Sequence, residues 1–587
     1  MVATPSRASS AAAASGIAPA RTGAEAIIQL MSAAGADYIF LNPGTDTAPL
    51  QEAVVALGAM GQRVPKIVPC LYENVSLAAA HGYFSVTRRP QVVVVHVDVG
   101  TMNLGGNLHN TQRGQGGVVI LAGRAPYTVE GDAPGGRNAY IQWQQDEPDQ
   151  MGIVRNYSKW SHELTRTDTL YQLIPRAFQL AASEPAGAVY MTVAREVLMD
   201  RMDGVNVGHA ARTLPLISPT GDPAAIDELA AWLADAKHPL AIVGKVGRNP
   251  AAVAEMVALA ELLGMPVGTT EGPVSFPSSH ALSLGQGYAE ALKQADAILV
   301  LDTDVPWIPR RARPLDTARV AQIDMDPLKS TIPVWGFPVD LPIMADTSKA
   351  LPALLAAVQR LATPARRVTW STRGQAQAQV RAKRIEQAAE LSRAARTRRP
   401  IQGEWLAAAL AESVPDDAIV VDEVITSGES LFRQLRRDEP GTLLYGGGPG
   451  LGWSMGAALG ARLALPERDV VAMCGDGSFV FNSPVAALWM SQQVEAPFLT
   501  VIFNNSGYRA SQRPVQELFP EGMSVELDTY PGVRFNTPPD YAALARSCHA
   551  YGERVDDPDE LLPAIKRGLN EIRHGRAAVL DVILEPI

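Results

Sequence analysis

Short apolar runs that stop at glycine, proline or an acid, each followed by an amphipathic stretch, recur in three blocks along this chain. Alternation of strand and helix signals parallel sheets covered on both faces, with ligands beyond the carboxyl ends of the strands. In the first block, from about 22 to 197, AIIQLMSAAGADYIFLNPG reads as amphipathic helix, short strand and Gly/Pro turn. QVVVVHV (91–97) and GGVVILAG (116–123) read as buried strands of the same sheet. The second block, about 215–358, sets strand-like HPLAIVGKVG (238–247) and ADAILVLDTD (295–304) around helical AAVAEMVALAELLG (251–264). The third, about 401–587, contains DAIVVDE (417–423), DVVAMCGDG (469–477) and FLTVIFNN (498–505). The expected fold class is α/β, with three doubly wound parallel-sheet domains.

Length supports the count, since 587 residues suffice for three or four domains. Residues 359–400 turn basic and read as a solvated linker with a helix. A nucleic-acid arm is the alternative, and a net charge of −10 argues against a nucleic-acid partner. Residues 1–21 are rich in Ala and Ser, hold two Arg and no acid, and read as a disordered tail, with a transit peptide as the other reading. No run of 18 apolar residues occurs, so no membrane span is expected. Cys70, Cys474 and Cys548 lie far apart without CxxC spacing. Neither a disulfide framework nor a thiolate zinc site is implied, and a cytoplasmic setting fits.

Two motifs carry the chemistry. GDGSF (475–479) and NNSGY (504–508) each follow an apolar strand, and 26 residues, 478–503, lie between GDG and NN. Asp476 and Asn505 offer hard oxygen ligands of the kind Mg²⁺ takes, and such an ion keeps places for water and phosphate. Gly475 and Gly477 let the backbone approach a diphosphate, and the helix start through Ser478 adds N–H donors. Taken singly, each motif reads as an ordinary strand–turn–helix joint.

Together these motifs resemble the diphosphate- and metal-binding signature of thiamine-diphosphate enzymes of the acetolactate synthase, pyruvate oxidase and 2-oxo acid decarboxylase superfamily. The resemblance implies thiamine diphosphate and Mg²⁺ as cofactors, with Asp476, Asn505 and the backbone carbonyl of Gly507 on the metal. Glu73, in CLYENVSLAAAHGYFSVTRRP (70–90), matches the family's glutamate, which hydrogen-bonds the aminopyrimidine ring and drives its tautomerisation. A glutamate at a helix start also serves the helix dipole. In GGGPGLGWSMGAALGA (446–461), Leu451 matches the large apolar residue that holds the cofactor bent. Glycines in such a segment also serve helix packing. The resemblance covers the chain from about residue 22 and implies pyrimidine-binding, central and diphosphate-binding domains. It also implies a homodimer or homotetramer in which Glu73 of one chain serves cofactor held by another.

The pocket residues resemble those of benzoylformate decarboxylase. LNPGTDTAPL (41–50) places Thr45 at that enzyme's serine, and VVVHVDVGTMN (93–103) places His96 at a catalytic histidine. FPSSHALSLGQG (276–287) places His280 near a second one, and His109 lies in the expected pocket mouth. Each histidine is able to move a proton near neutral pH. A satisfied core histidine, or a helix cap in the case of Thr45, is the plainer reading. QWQQDEPDQ (142–150) and the basic linker look closer to the acetolactate synthase branch. LDTDVPWIPRRARP (301–314) stands where that branch has its flavin-contacting stretch, so FAD is not expected. Arg310, Arg311 and Arg313 read as a solvated turn or as phosphate contacts. The implied function is a lyase that decarboxylates a small 2-oxo acid through an enamine. The alternatives are an acetolactate synthase-like carboligase and a lyase for a 2-hydroxyacyl-coenzyme A thioester.

Overall fold

A computed structural model describes residues 16–270 and 272–587, arranged as three units, each built on a six-stranded parallel sheet. The first sheet runs, edge to edge, Lys66–Pro69, Tyr38–Leu41, Gln91–Val95, Val118–Arg124, Val189–Ala194 and Trp160–Leu164. The third runs Leu443–Tyr445, Ile419–Glu423, Val470–Gly475, Leu499–Asn504, Ala578–Ile583 and Tyr551–Val555. Numbered along the chain, both have the order 2-1-3-4-6-5. The middle sheet instead follows 3-2-1-4-5-6, from Ser283–Gly285 through Val267–Thr269, Pro239–Val243, Ala297–Leu301 and Arg319–Asp324 to Leu341–Met344.

The central strands are buried on both faces, which is why they read as unbroken apolar runs: Val92, Val93, Val94 and Val95 pair with Val119, Ile120, Leu121 and Ala122. Strand order fixes where a ligand can sit. In the first and third sheets the winding reverses between strands 1 and 3, opening a crevice at their carboxyl ends. The loop after Leu41 and His96 stand at that point in the first unit, and Glu423 and Asp476 stand there in the third.

Two elements differ from expectation. The disordered tail expected over 1–21 ends earlier: Ile17–Ala18 pairs antiparallel with Val205–Asn206, and the Thr22 side chain caps the helix Gly23–Ala33. Residues 1–15 lie outside the described residues. The basic stretch holds the expected helix, 32 residues over Pro364–Ala395, but that helix is not wholly solvated: it docks by burying Trp370 against the middle unit. Its arginines have local work to do. Arg373 donates to the carbonyls of Leu263 and Ala236, at the ends of neighbouring helices, and Arg384 donates to Gly287. Among the described residues no helix is long and apolar enough to cross a membrane.

The first and third units meet along a seam of small residues. The helix Glu73–Thr87 lies against the helix Ser454–Ala464. A Cβ on Gly460 would fall 1.8 Å from the Ala79 carbonyl oxygen, and one on Gly82 would fall 2.3 Å from that of Ala457. Glycine is therefore required on both helices, and the packing reading of GGGPGLGWSMGAALGA holds for Gly456 and Gly460. Beside the seam, buried His81 accepts from Trp453 Nε1 at 3.1 Å, and burial holds its pKa down to about 3, so the ring is neutral.

Candidate active site

Strand Val470–Gly475 ends at the third unit's switch point, and the next residue, Asp476, opens a short helix with its side chain buried. Its Oδ2 has no hydrogen-bond partner, and neither does the buried Oδ1 of Asn505. Burial pushes the Asp476 carboxyl up to about 6, although backbone N–H groups of Gly477 and Gly507 pull the other way. Each unsatisfied buried acceptor costs about 1–3 kcal/mol, so two together mark a place built for a ligand. One carboxylate and one amide oxygen, with backbone carbonyls and water, make the donor set of a hard divalent cation. Among the described residues no cluster of three His, Cys, Asp or Glu offers a rival metal site.

The surrounding glycines differ in what they do. Nothing lies within 4 Å of where a Gly475 Cβ would be, so the backbone there faces open space. A Cβ on Gly477 would strike the Tyr508 ring at 2.3 Å, and one on Gly507 would strike the Val533 carbonyl oxygen at 2.3 Å. Gly507 therefore presents backbone only. Ser478 is buried, and its carbonyl accepts from Asn482 N at 2.9 Å.

Leu451 is half-buried on a turn held from two sides. From the first unit, Asn110 Nδ2 donates to the Gly450 carbonyl at 2.7 Å and Asn107 Nδ2 to that of Gly452 at 3.1 Å. From below, Glu423 accepts from the backbone N–H of Gly452 at 2.5 Å and of Ser454 at 3.0 Å, and from Asn482 Nδ2 at 2.9 Å. Burial raises the Glu423 pKa, and these donors oppose it. Glu423 thus ties the Leu451 turn to the end of the Asp476 helix. Sequence reading passed over it, although it ends the strand DAIVVDE beside the GDG strand, where strand-end logic points.

Glu73 lies buried at the first turn of its helix. Asn42 Nδ2 donates to Oε1 and Asn103 Nδ2 donates to Oε2 at 3.3 Å. Gly100 leaves room for the carboxylate, since a Cβ there would come 3.2 Å from Oε1. Among the described residues no hydrogen bond joins this cluster to Asp476 or Asn505 of the same chain.

The remaining candidates separate. His96 caps the carboxyl end of strand Gln91–Val95, and its Nδ1 lies 2.5 Å from Oδ1 of buried Asp46. The Asp46 hydrogen bond raises the His96 pKa above its ordinary value. Gln145, from the QWQQDEPDQ stretch, raises it further. Thr45 is exposed, and its carbonyl accepts from Arg195 at 3.3 Å, whereas its neighbours Asp46 and Thr47 are buried. His109 is half-buried, edge-on to Tyr157, and backs against Gly448 of the glycine turn; burial and Arg113 lower its pKa. His280 has both ring nitrogens engaged within the middle unit, Nε2 with Glu261 at 3.2 Å and Nδ1 with the Leu282 N–H at 3.1 Å. Neither Glu73 nor Asp476 is among the partners of His109 or His280.

A cavity of about 520 Å³ opens elsewhere, beyond the carboxyl ends of the middle sheet, with Lys245, Arg248, Asp302, Trp307 and Arg311 in its wall.

Comparison with known proteins accounts for all three units. Residues 21–153 match the N-terminal TPP binding domain of thiamine pyrophosphate enzymes, 226–354 the central domain, and 427–582 the C-terminal TPP binding domain. A probable acetolactate synthase of Mycobacterium bovis is 26% identical over 97% of either chain. The benzoylformate decarboxylase of Pseudomonas aeruginosa is 25% identical over 94% of this chain and 97% of its own. Among solved structures, a thiamine diphosphate-dependent 4-hydroxybenzoylformate decarboxylase of Rhodococcus jostii RHA1 superposes with a TM-score of 0.77 at 22% identity, covering 96% of this chain and 99% of its own. Benzoylformate decarboxylase from Polynucleobacter necessarius gives 0.76 at 20% identity over 97% and 100%.

Proposed function

Because the chain belongs to the thiamine pyrophosphate enzymes, of the acetolactate synthase and benzoylformate decarboxylase type, we propose that it is a lyase decarboxylating a small 2-oxo acid to an aldehyde. The observation that carries this reading is the His96–Asp46 pair at the first unit's switch point. A decarboxylase must return a proton to the carbon that loses carbon dioxide, and a carboligase must keep that proton away.

When bound, thiamine diphosphate supplies the carbon nucleophile and takes up the electron pair left by carbon dioxide. Asp476 Oδ2, Asn505 Oδ1 and the Gly507 carbonyl would hold Mg²⁺, and the open backbone at Gly475 with Gly477 and Ser478 would take the diphosphate. Leu451, on the turn gripped by Glu423, would be the apolar side chain that supports the cofactor. Asn42 and Asn103 fix the two oxygens of Glu73, whose carboxylate would be the group that holds a proton for the aminopyrimidine ring of a bound cofactor. His96 donates the final proton.

The test is carbon dioxide release from pyruvate, benzoylformate and branched 2-oxo acids, with and without an acceptor aldehyde. Release with aldehyde formation in the absence of acceptor is the expected outcome. Turnover that requires the acceptor would replace this reading with the carboligase. A 2-hydroxyacyl-coenzyme A lyase is a second reading, favoured by Arg311, Lys245 and Arg248 in the wall of the 520 Å³ cavity. Cleavage of such a thioester, and none of free 2-oxo acids, would favour it.

The working unit in this reading is a homodimer. Val480, Phe481, Val485 and Trp489 expose about half their surface on the Asp476 side, and Ile67 and Leu71, just before Glu73, are exposed on the adjoining first unit. The helix Pro484–Gln493 packs against strand Lys66–Pro69, so both sets flank one face. Large apolar residues grouped in this way mark an association surface. Trp489→Asp is expected to shift sedimentation from dimer to monomer and to remove turnover with it. A dimer of unchanged stability would contradict that placement of the interface.

A further inference from the structure

The Asp46–His96 pair shows features that a surface contact would lack. Asp46 is 2% exposed and is caged by backbone: a Cβ on Gly123 would fall 1.5 Å from its Oδ2, and one on Gly44 would fall 2.6 Å from Oδ1. Its two oxygens are divided between two tasks. Oδ1 takes His96 Nδ1 at 2.5 Å, and Oδ2 takes the Val97 N–H at 3.3 Å. Val97 itself holds a φ of 34°, a strained conformation for a β-branched residue that persists only where its surroundings enforce it. The backbone just after the histidine is thus bent so that ring and N–H both meet one buried carboxylate.

We propose that Asp46 is a positioning residue for the reaction, gripping Nδ1–H of His96 so that Nε2–H is the proton the ring delivers to product. This inference rests on the reading of His96 as the acid. In the step, the Nε2–H bond breaks and a C–H bond forms at the carbon that has lost carbon dioxide, using the electron pair left there. The ring is left neutral, still carrying its proton on Nδ1 against Asp46, and solvent returns a proton to Nε2. A buried carboxylate does two things for such a ring: it selects the tautomer and stabilises the cationic form. The charged groups facing the ring are Asp46, on the loop after strand Tyr38–Leu41, and Asp98, on the ring's own helix. Gln145 is neutral, and Arg195 spends its guanidinium on the carbonyls of Gly135, Gly136 and Thr45.

The experiment uses full-length protein carrying histidines labelled with ¹³C in the ring, with His96 identified by its loss in His96→Gln. In Asp46→Asn the NMR titration midpoint of His96 should fall by at least about one pH unit, as expected on removing an opposite charge at contact distance. The alkaline limb of kcat should fall by the same amount, because turnover needs the protonated ring and the ring now loses its proton at lower pH. Asp46→Asn added to His96→Gln should slow turnover no further. Asp46→Ser, smaller and equally neutral, serves if the asparagine variant does not fold. An unmoved midpoint, or an equal loss of rate when Asp46→Asn is made on the His96→Gln background, would overturn the proposal while leaving His96 as the acid. His96→Gln at full turnover would remove the acid reading, and the proposal with it.

Discussion

Glu73→Gln should leave thiamine diphosphate bound and cut turnover by about three orders of magnitude, within the range set by loss of a positioned acid–base group. The substitution keeps shape and replaces one oxygen by NH₂. In the protein that carboxylate meets only donors, the Nδ2 atoms of Asn42 and Asn103. A glutamine accepts from one of them and points its own NH₂ at the other, so it neither takes a ring proton nor sits at ease. Calorimetric titration with thiamine diphosphate and Mg²⁺ should give an affinity within about tenfold of wild type, because the proposed cation and diphosphate contacts lie on the third unit. The discriminating readout is hydrogen–deuterium exchange at C2 of the bound cofactor, which should slow along with turnover. A variant that retains more than a tenth of the wild-type rate would show that Glu73 only caps its helix.

Asp476→Ala should produce the opposite pattern: metal-dependent cofactor binding weakens by about a hundredfold or more, while the cofactor-free protein becomes no less stable. The carboxylate is buried with Oδ2 unpartnered, and its pKa stands near 6. A folded pKa above the unfolded value means that the group favours folding when protonated. Its contribution is complete below the unfolded value of about 4 and is lost as pH rises through 6. Cofactor-free wild type should therefore lose on the order of 3 kcal/mol between pH 4 and 7 from this group alone, and the alanine variant should not. Thermal melts across that range, with and without Mg²⁺ and thiamine diphosphate, measure both halves. The wild type should gain Tm on loading and the variant should not. An unchanged loading shift in the variant would end the metal-ligand role.

The parts of this protein that were readable from sequence were those determined locally. Strands buried on both faces have to be apolar along their length, so QVVVVHV and DVVAMCGDG declared themselves, and the motifs at their ends came with them. The donors proposed for the metal likewise lie in short motifs. What stayed hidden depends on pairing across the sheet. Asp46 and His96 are 50 residues apart and meet because strands Tyr38–Leu41 and Gln91–Val95 are neighbours with aligned carboxyl ends. Sequence offered Thr45 from that loop, and nothing in a turn tells which of two adjacent residues faces inward. His280 was plausible as chemistry, yet its ring is spent on Glu261 and the Leu282 N–H, a fact of tertiary packing. The arginines of 359–400 looked like a basic surface because carbonyl partners such as those of Leu263 and Gly287 lie about a hundred residues away.

The glycine seam between the helices Glu73–Thr87 and Ser454–Ala464 has a mechanical result. At Gly82 and Gly460 backbone lies against backbone, with no long side chain between to slide or rotate, so the halves carrying Glu73 and Leu451 are expected to move as a single rigid piece. Breathing that admits substrate or frees product must then occur in the peripheral loops, and variants meant to speed product escape belong in those loops.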